Sequence, residues 1–250
     1  MPSAYHQLLD ATIGHLESLK QRGARYVDAS PESLSRLAMP AAQKTTNAPL
    51  GQAAPTITVQ RPDEPSVYDS PKLSAADKES AITKLRDEAL ACAQCAHLVS
   101  TRTQVVFGVG TVHAELMLIG EAPGLDEDKE GEPFVGAAGQ LLTKIIEATG
   151  LDRDKVYIAN ILKCRPDTPG KVYGNRKPRP EEMETCFPWV KRQIEIIQPK
   201  VMVALGGTAV EGLLGEMPSG ITRMRGNWQA YRGVPVMPTF HPSYLLRNQS

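Results

Sequence analysis

The chain has 250 residues, a hydrophobic content of 41%, and 28 basic against 28 acidic side chains, which gives a formal net charge of zero. This length suffices for one hydrophobic core and an appended segment. No apolar run approaches the length of a membrane span, and the first residues lack the basic flank and apolar stretch of a signal peptide. We therefore expect a cytoplasmic protein whose overall charge gives no argument for a polyanionic partner.

The first third of the chain indicates an appendage rather than a domain. Apolar side chains at helical spacing in residues 4–22 predict a short helix within an extension over residues 1–39. Residues 40–74 are rich in proline and alanine and lack periodic apolar positions, which is typical of a flexible linker. Ser74 precedes a predicted helix over residues 75–91, so we place the domain boundary near its start.

Beyond residue 105, strand and helix patterns alternate, as in a parallel sheet covered by helices. The predicted fold is α/β: three α/β/α layers around a central, mainly parallel four-stranded sheet, with a helical or disordered N-terminal extension. After a short edge strand at 105–109, the predicted strands cover residues 116–120, 156–162, 201–205 and 234–240. The predicted helices that follow them cover residues 139–150, 180–197 and 209–214.

Basic residues are concentrated in two segments despite the neutral total. Residues 163–179 carry six basic side chains against the single acid Asp167, and residues 223–247 carry four arginines and no acid. Such patches supply phosphate contacts in nucleic-acid-binding proteins, although solvated loops have the same composition.

The four cysteines are Cys92, Cys95, Cys164 and Cys186. In a cytosolic chain, a C-x-x-C pair with two further cysteines favours a metal site over disulfides. Four thiolates suit a structural zinc ion or an iron–sulfur cluster, and the spacing does not choose between them. Buried free thiols are the remaining alternative.

Polar groups follow two of the apolar runs. The loop Gly120-Glu121-Ala122-Pro123-Gly124 ends the first predicted buried strand, and His241-Pro242-Ser243 ends the last. Because the carboxyl ends of parallel strands line one crevice, loops far apart in the sequence can share a site there. A carboxylate and an imidazole that converge in this way suit acid–base or electrostatic catalysis.

Taken in order, these elements resemble the family 4 uracil-DNA glycosylases, the iron–sulfur branch of the uracil-DNA glycosylase superfamily. The likeness covers about residues 85–250, with a longer stretch between the last two cysteines than the compact family pattern. Family members usually continue beyond the position of Arg247, so we expect the domain at 75–250 to be cut short at its C-terminal end. The matching segments are Cys92-Ala93-Gln94-Cys95, Val106-Phe107-Gly108, Gly120-Glu121-Ala122-Pro123-Gly124, Glu132-Pro133-Phe134-Val135-Gly136, Asn160-Ile161-Leu162-Lys163-Cys164-Arg165-Pro166 and His241-Pro242-Ser243-Tyr244-Leu245-Leu246-Arg247.

The resemblance implies a DNA repair hydrolase of base excision repair that cleaves the N-glycosidic bond of deoxyuridine, releases uracil and leaves an abasic site. It implies Glu121 as the catalytic group that activates water or stabilises the sugar cation. It implies His241 as the catalytic group that donates a hydrogen bond to uracil O2. The implied uracil-binding residues, among which Phe134 stacks on the base and Asn160 reads its N3–H and O4 edge, are Gly120, Ala122, Phe134 and Asn160.

The same resemblance implies DNA contacts and a cofactor. Ser243, Leu245, Leu246 and Arg247 correspond to a minor-groove loop, in which a leucine fills the space of the flipped nucleotide and the arginine meets phosphate. The four cysteines become ligands of a structural [4Fe–4S] cluster. The residues Asp126, Glu127 and Asp128 are expected either to form a solvated acidic loop or to support the site by contacting the residues that bind the substrate. The implied partner is uracil-containing DNA, bound by a nucleoid-associated monomer whose N-terminal extension docks a further protein.

Two other functions remain open at this point. The chain can be a uracil-DNA binding protein with little turnover, or an iron–sulfur adaptor module of a polymerase or repair complex. A related branch traps DNA covalently through a histidine in the loop after the asparagine motif. Residues 165–185 contain no histidine, which argues against that branch.

Overall fold

A computed structural model describes residues 66–69, 72–171, 174–215 and 219–248. The predicted N-terminal helix and most of the predicted linker lie outside these ranges. None of the helices within them has both the length and the apolar character that crossing a membrane requires.

Six strands form one mixed sheet: β1 (Val109–Gly110), β2 (Leu116–Gly120), β3 (Tyr157–Asn160), β4 (Val201–Leu205), β5 (Gln229–Tyr231) and β6 (Val234–Thr239). Their order across the sheet is β1-β3-β2-β4-β6-β5. The four central strands run parallel, and β1 and β5 pair antiparallel at the two edges. The predicted parallel centre is confirmed, and the two edge strands extend it from four strands to six.

Helices cover both faces of this sheet. Side chains alternate between the faces along β2, so that Met117 packs in a cluster with Ile194 while Leu118 packs in another with Leu142. This alternation produces the predicted three layers. The helices are α1 (Ala75–Leu90), α2 (Ala96–Val99), α3 (Leu125–Glu130), α4 (Ala137–Ala148), α5 (Pro180–Ile197), α6 (Gly207–Leu214), α7 (Gly220–Met224) and α8 (Pro242–Arg247), with short 3-10 helices at Val67–Asp69 and Arg153–Lys155.

Part of the predicted linker packs on the sheet domain. Val67 is fully buried, and its amide donates to the Arg232 carbonyl at 2.9 Å. The Tyr68 hydroxyl donates to the Pro199 carbonyl at 3.2 Å. The sequence pattern misses this anchor because a single buried valine creates no periodicity.

Three short elements also differ from the prediction. The edge strand expected at 105–109 is confined to β1, and β5 carries no pattern long enough to predict. The acidic segment after Gly124 forms α3, whose first turn holds Asp126, Glu127 and Asp128 at the positive end of the helix. Acidic residues are favourable at that position, so a segment with almost no apolar side chains still becomes helical.

Candidate functional site

A cavity of about 460 Å³ opens at the carboxyl ends of the parallel strands. The loop after β2 contributes Glu121, the end of β3 contributes Asn160, and the segment after β6 contributes His241. The structure therefore brings together residues that lie 120 positions apart. The lining residues are Glu121, Ala122, Gly124, Glu127, Phe134, Ala138, Asn160, Asn175, Arg176, Lys177, Gly206, Gly207, His241, Ser243 and Arg247.

Asn160 presents an unpaired amide to this cavity. Only 2% of the residue is exposed, and its Oδ1 atom has no hydrogen-bond partner within the described part of the chain. A buried acceptor that is left unpaired costs about 1–3 kcal/mol. The oxygen is thus available to a donor on a bound ligand.

Gly120 on β2 pairs with Asn160 on the neighbouring strand β3 and leaves room for the Asn160 side-chain amide. A Cβ atom built on Gly120 would lie 2.3 Å from Asn160 Oδ1 and 2.5 Å from Phe134 Cζ. Only glycine fits between these side chains, so Gly120 shapes the cavity without forming its surface.

Phe134 is almost fully buried although its predicted role is to stack on a bound base. Only 5% of the residue is accessible, and its ring stacks on the His241 ring with centroids 5.5 Å apart and planes inclined by 29°. Its backbone adopts a φ of +57°, which is uncommon for a residue with a Cβ atom. The loop therefore turns sharply at this residue while the ring lines the cavity.

The hydrogen bonds of His241 define its neutral tautomer. Its Nδ1 atom accepts from the Ser243 amide at 3.2 Å and lies 2.8 Å from the Ser243 hydroxyl. Because an amide nitrogen only donates, the neutral ring carries its proton on Nε2. Burial, and secondarily the charge of Arg247, lower the pKa of His241 to about 4. The ring is therefore neutral at physiological pH and offers an Nε2–H donor.

Two glutamates near the first loop differ in their contacts. The Glu121 carboxylate makes no hydrogen bond or ion pair with another described residue, whereas its carbonyl accepts from the Leu162 amide at 3.1 Å. Glu127 accepts from the Gly124 amide at 2.9 Å and from the amides of Val135 and Gly136 at 3.0 Å. Glu127 thus joins the first loop to the Phe134 loop.

Of the two alternatives expected for residues 126–128, a solvated acidic loop does not describe Glu127 or Asp128, whereas support of the site residues describes Glu127. Glu127 holds the loops described above, and Asp128 is only 2% exposed while both of its carboxylate oxygens accept from the Thr103 amide. The position of Glu127, three residues after the helix-capping Gly124, is a recognisable capping signal.

The basic segment after Cys164 forms another wall of the cavity, through Asn175, Arg176 and Lys177. Arg176 donates to both carboxylate oxygens of the buried Glu182. Although burial opposes it, hydrogen bonds from Arg176, the Arg179 amide and His97 lower the pKa of Glu182 to about 2. The ion pair attaches this wall to the start of α5.

The segment predicted as a minor-groove loop is the short helix α8. Pro242 occupies its first turn and His241 caps it by accepting from the Ser243 amide, which explains why a helix forms here. Ser243 and Arg247 line the cavity, whereas Leu245 and Leu246 are not part of its wall. Leu245 is 37% exposed.

The four cysteines line a second, separate cavity. Cys164 and Cys186 are buried, and Cys92 and Cys95 are half-buried. Burial raises the pKa of the Cys186 thiol to about 12, so metal binding must displace its proton. The Arg102 guanidinium donates to Cys164 Sγ at 3.1 Å, and the Lys163 amide donates to Cys186 Sγ at 3.2 Å.

The donor chemistry of this cavity bears on the kind of metal group that it suits. Four cysteine thiols line it, and two of the sulfurs accept hydrogen bonds from Arg102 and from the Lys163 amide. Cysteine thiolates with N–H donors to their sulfurs are the usual surroundings of an iron–sulfur cluster. The residues present therefore fit such a cluster.

Lys163 connects the two cavities and carries no sequence signal of its role. Its side chain is fully buried, and burial lowers its pKa to about 7. The Nζ atom donates to the Asn160 carbonyl at 3.0 Å and to Gln193 Oε1 at 2.7 Å. One residue thus contacts both the end of β3 and a cysteine sulfur.

Comparison with known proteins identifies the family. The profile of the uracil DNA glycosylase superfamily matches residues 107–250. A type-4 uracil-DNA glycosylase of Thermotoga maritima is 47% identical over 163 residues, which cover 64% of this chain and 80% of that protein. A type-4 uracil-DNA glycosylase of Sulfurisphaera tokodaii is 43% identical over 67% of this chain and 76% of that protein. A type-4 uracil-DNA glycosylase of Archaeoglobus fulgidus is also 43% identical, over 64% of this chain and 80% of that protein. The chain therefore belongs to the uracil DNA glycosylase superfamily and to its type-4 branch.

Proposed function

We propose that this protein hydrolyses the N-glycosidic bond of deoxyuridine in DNA, releasing uracil and leaving an abasic site for repair. The observation that carries the proposal is the convergence of Glu121, Phe134, Asn160 and His241 on one cavity. The names of the type-4 relatives support the same activity.

Asn160 recognises the base in this proposal. Its unpaired Oδ1 atom accepts from uracil N3–H, and its amide nitrogen donates to O4. Cytosine presents an acceptor at N3 and a donor at C4, so both pairs would be mismatched and left unsatisfied in a buried site. Phe134 stacks on the flipped base, which contributes about 1–3 kcal/mol.

His241 stabilises the leaving group. As the bond between C1′ and N1 breaks, negative charge develops on uracil, and the Nε2–H donor of the neutral ring can hydrogen-bond to O2. The bond from the Ser243 amide to Nδ1 holds the ring in this tautomer before the substrate binds. The donor is therefore preorganised, and no proton transfer is required.

Glu121 acts at the sugar. A carboxylate without a protein partner in the described residues can orient and deprotonate the water that attacks C1′, and its charge also stabilises the sugar cation. Gln keeps an oxygen that orients water but lacks the charge and the basicity, so Glu121→Gln isolates this contribution.

Incubation with a uracil-containing oligonucleotide, followed by alkaline cleavage at abasic sites, tests the activity and this role. We expect the parent protein to cleave at uracil, and Glu121→Gln to lower the single-turnover rate about 10²-fold without weakening DNA binding. Glu130→Gln, an exposed residue at the end of α3, is the control. Binding without release by the parent protein would instead indicate a uracil-DNA binding protein.

The cysteine cavity is proposed to hold a structural [4Fe–4S] cluster on Cys92, Cys95, Cys164 and Cys186. When bound, the cluster supplies a rigid cross-link, because glycosidic hydrolysis needs no electron transfer. Cys186 lies one helical turn after Glu182, which holds Arg176 in the wall of the active-site cavity. Loss of the cross-link should therefore loosen a basic surface that faces DNA.

Cys164→Ala is expected to abolish the brown visible absorbance of the purified protein and to weaken its binding to DNA. Iron and sulfide content per chain, measured beside an electrophoretic DNA-binding titration, check both effects. Thr185→Ala, which alters the same cavity without removing a thiol, should keep the colour. A colourless parent protein that contains one zinc ion per chain would refute the cluster.

Uracil-containing DNA is the proposed partner of the open cavity and of its basic wall. Arg176, Lys177 and Arg247 face the cavity beside the uracil-binding residues, where backbone phosphates of a flipped nucleotide would lie. Ser243 joins this wall, and the exposed Leu245 on α8 is suited to fill the vacated stack. We propose that one chain suffices for the reaction, because these residues all come from a single chain, and that it works on nucleoid DNA.

A further inference from the structure

The loop that carries Phe134 is held by residues on two sides. Glu127 accepts from the amides of Val135 and Gly136, which lie just after Phe134. Arg153, on the 3-10 helix before β3, donates from Nη2 to the Pro133 carbonyl at 2.9 Å and from Nη1 to the Phe134 carbonyl at 3.2 Å. The peptide groups around the aromatic residue are thus bound successively by a guanidinium and a carboxylate.

Phe134 needs such restraint because its backbone conformation is unusual. A φ of +57° is strained for a residue with a Cβ atom and persists only where the surroundings impose it. The Phe134 carbonyl also presses against α4, since a Cβ atom built on Gly139 would lie 1.8 Å from that oxygen. Without a donor, this crowded carbonyl would favour a relaxed backbone, and the ring would leave its place beside His241.

Arg153 is suited to this task by the shape of its head group. A guanidinium is a planar fork that donates to two acceptors at fixed separation, whereas an ammonium group is a single point donor. Its Nη1 atom also lies 3.4 Å from Thr143 Oγ1 on α4, so the fork is attached to a second element. Arg153 is not part of the cavity wall and cannot act on the substrate directly.

We infer that Arg153 is a positioning residue for the uracil-stacking Phe134, and that it sets the base affinity of the cavity through the Pro133 and Phe134 carbonyls. The inference rests on the proposed stacking of Phe134 on uracil. It predicts that the effect of losing Arg153 disappears when the phenylalanine ring is absent.

A double-mutant cycle between Arg153→Met and Phe134→Ala, in which kcat and KM for uracil release are determined for each variant, tests the inference. We expect Phe134→Ala to lower kcat/KM about 10–100-fold, as the loss of base stacking does elsewhere. Arg153→Met should lower it about 3–10-fold, mainly through KM, and should add nothing to Phe134→Ala. Arg153→Lys should recover part of the loss, because one donor remains.

Lys155→Met is the matched control, because Lys155 lies on the same 3-10 helix and pairs only with the exposed Asp154 among the described residues. This substitution should leave the rate of uracil release unchanged. Multiplicative effects in the cycle, or a parental rate for Arg153→Met, would overturn the inference while leaving the stacking role intact. A parental rate for Phe134→Ala would overturn the stacking role and the inference with it. If Arg153→Met does not fold, Arg153→Lys carries the same cycle.

Discussion

His241→Ala is expected to lower kcat/KM for uracil release by about 10²–10³-fold, the usual effect of removing one preorganised donor from a developing anion. We expect this loss because the Ser243 amide donates to Nδ1 of His241, which leaves the neutral ring protonated at Nε2 and able to donate to uracil O2. Single-turnover rates and DNA-binding titrations measured together check this expectation, because only the rates should fall.

The pH dependence of the same residue has a definite sign. Burial and Arg247 lower the pKa of His241 to about 4, against 6.5 for an unperturbed histidine. Between these values the unfolded chain binds more protons than the folded one, so the contribution of His241 to stability is full above pH 6.5 and is lost as the pH falls toward 4. Its protonation should therefore not limit the rate of uracil release above about pH 5.

Chemical unfolding of the parent protein and of His241→Asn between pH 4 and 7 isolates this effect. The difference in unfolding free energy between the two should shrink toward pH 4 and be constant above pH 6.5. His113→Ala removes an exposed histidine that pairs with Glu79 and serves as the control for both rate and stability. A rate of uracil release in His241→Ala equal to that of the parent would exclude His241 from leaving-group stabilisation.

The sequence was sufficient to predict those parts of the fold that depend on hydrophobic periodicity. β2 and β4 were predicted with their observed bounds, and α5 was predicted from Pro180 to Ile197 because a proline, an acidic first turn and an apolar stripe coincide there. The edge strands β1 and β5 have two and three residues, which is too short for an alternating pattern. Their pairing depends on neighbouring strands that the local sequence does not specify.

The candidate site shows the same division between local and tertiary information. Glu121 and His241 follow apolar runs, and the strand-end rule for parallel sheets was enough to predict that they converge, whereas Asn160 was assigned to the same site through the family resemblance. Glu127, Arg153 and Lys163 act through backbone groups: Glu127 accepts from Val135 and Gly136, Arg153 donates to Pro133 and Phe134, and Lys163 donates to Asn160 three residues before it. The spacing of Gly124 and Glu127 signals a helix cap, but it does not signal the bonds to the Phe134 loop, and no spacing signals the contacts of Arg153 or Lys163. The helical form of α8 likewise depends on His241, which caps the helix by accepting from the Ser243 amide. The position of this histidine after an apolar run indicates a site residue and gives no sign of the capping role.

Asn160→Ala provides the most direct separation of function from folding. Loss of two hydrogen bonds to uracil, each worth about 1–3 kcal/mol in a buried site, should lower kcat/KM by about 10²–10⁴-fold. Discrimination of uracil against cytosine should fall as well, because both partners of the base edge are removed. Single-turnover rates on uracil- and cytosine-containing oligonucleotides check both outcomes, and Asn227→Ala, an exposed asparagine outside the cavity wall, is the control.

The melting temperature of Asn160→Ala is the second measurement that separates function from folding. Oδ1 of Asn160 has no partner among the described residues, and no other hydrogen bond joins its side-chain amide to them. Alanine therefore removes a buried unpaired acceptor without breaking a protein hydrogen bond, and the melting temperature should stay level or rise. A structural asparagine would behave in the opposite way, with a lower melting temperature and an activity loss in proportion to unfolding. An inactive variant that is at least as stable as the parent would show that the Asn160 amide serves ligand binding and not folding. In that case the hydrogen-bond partner of the amide is uracil.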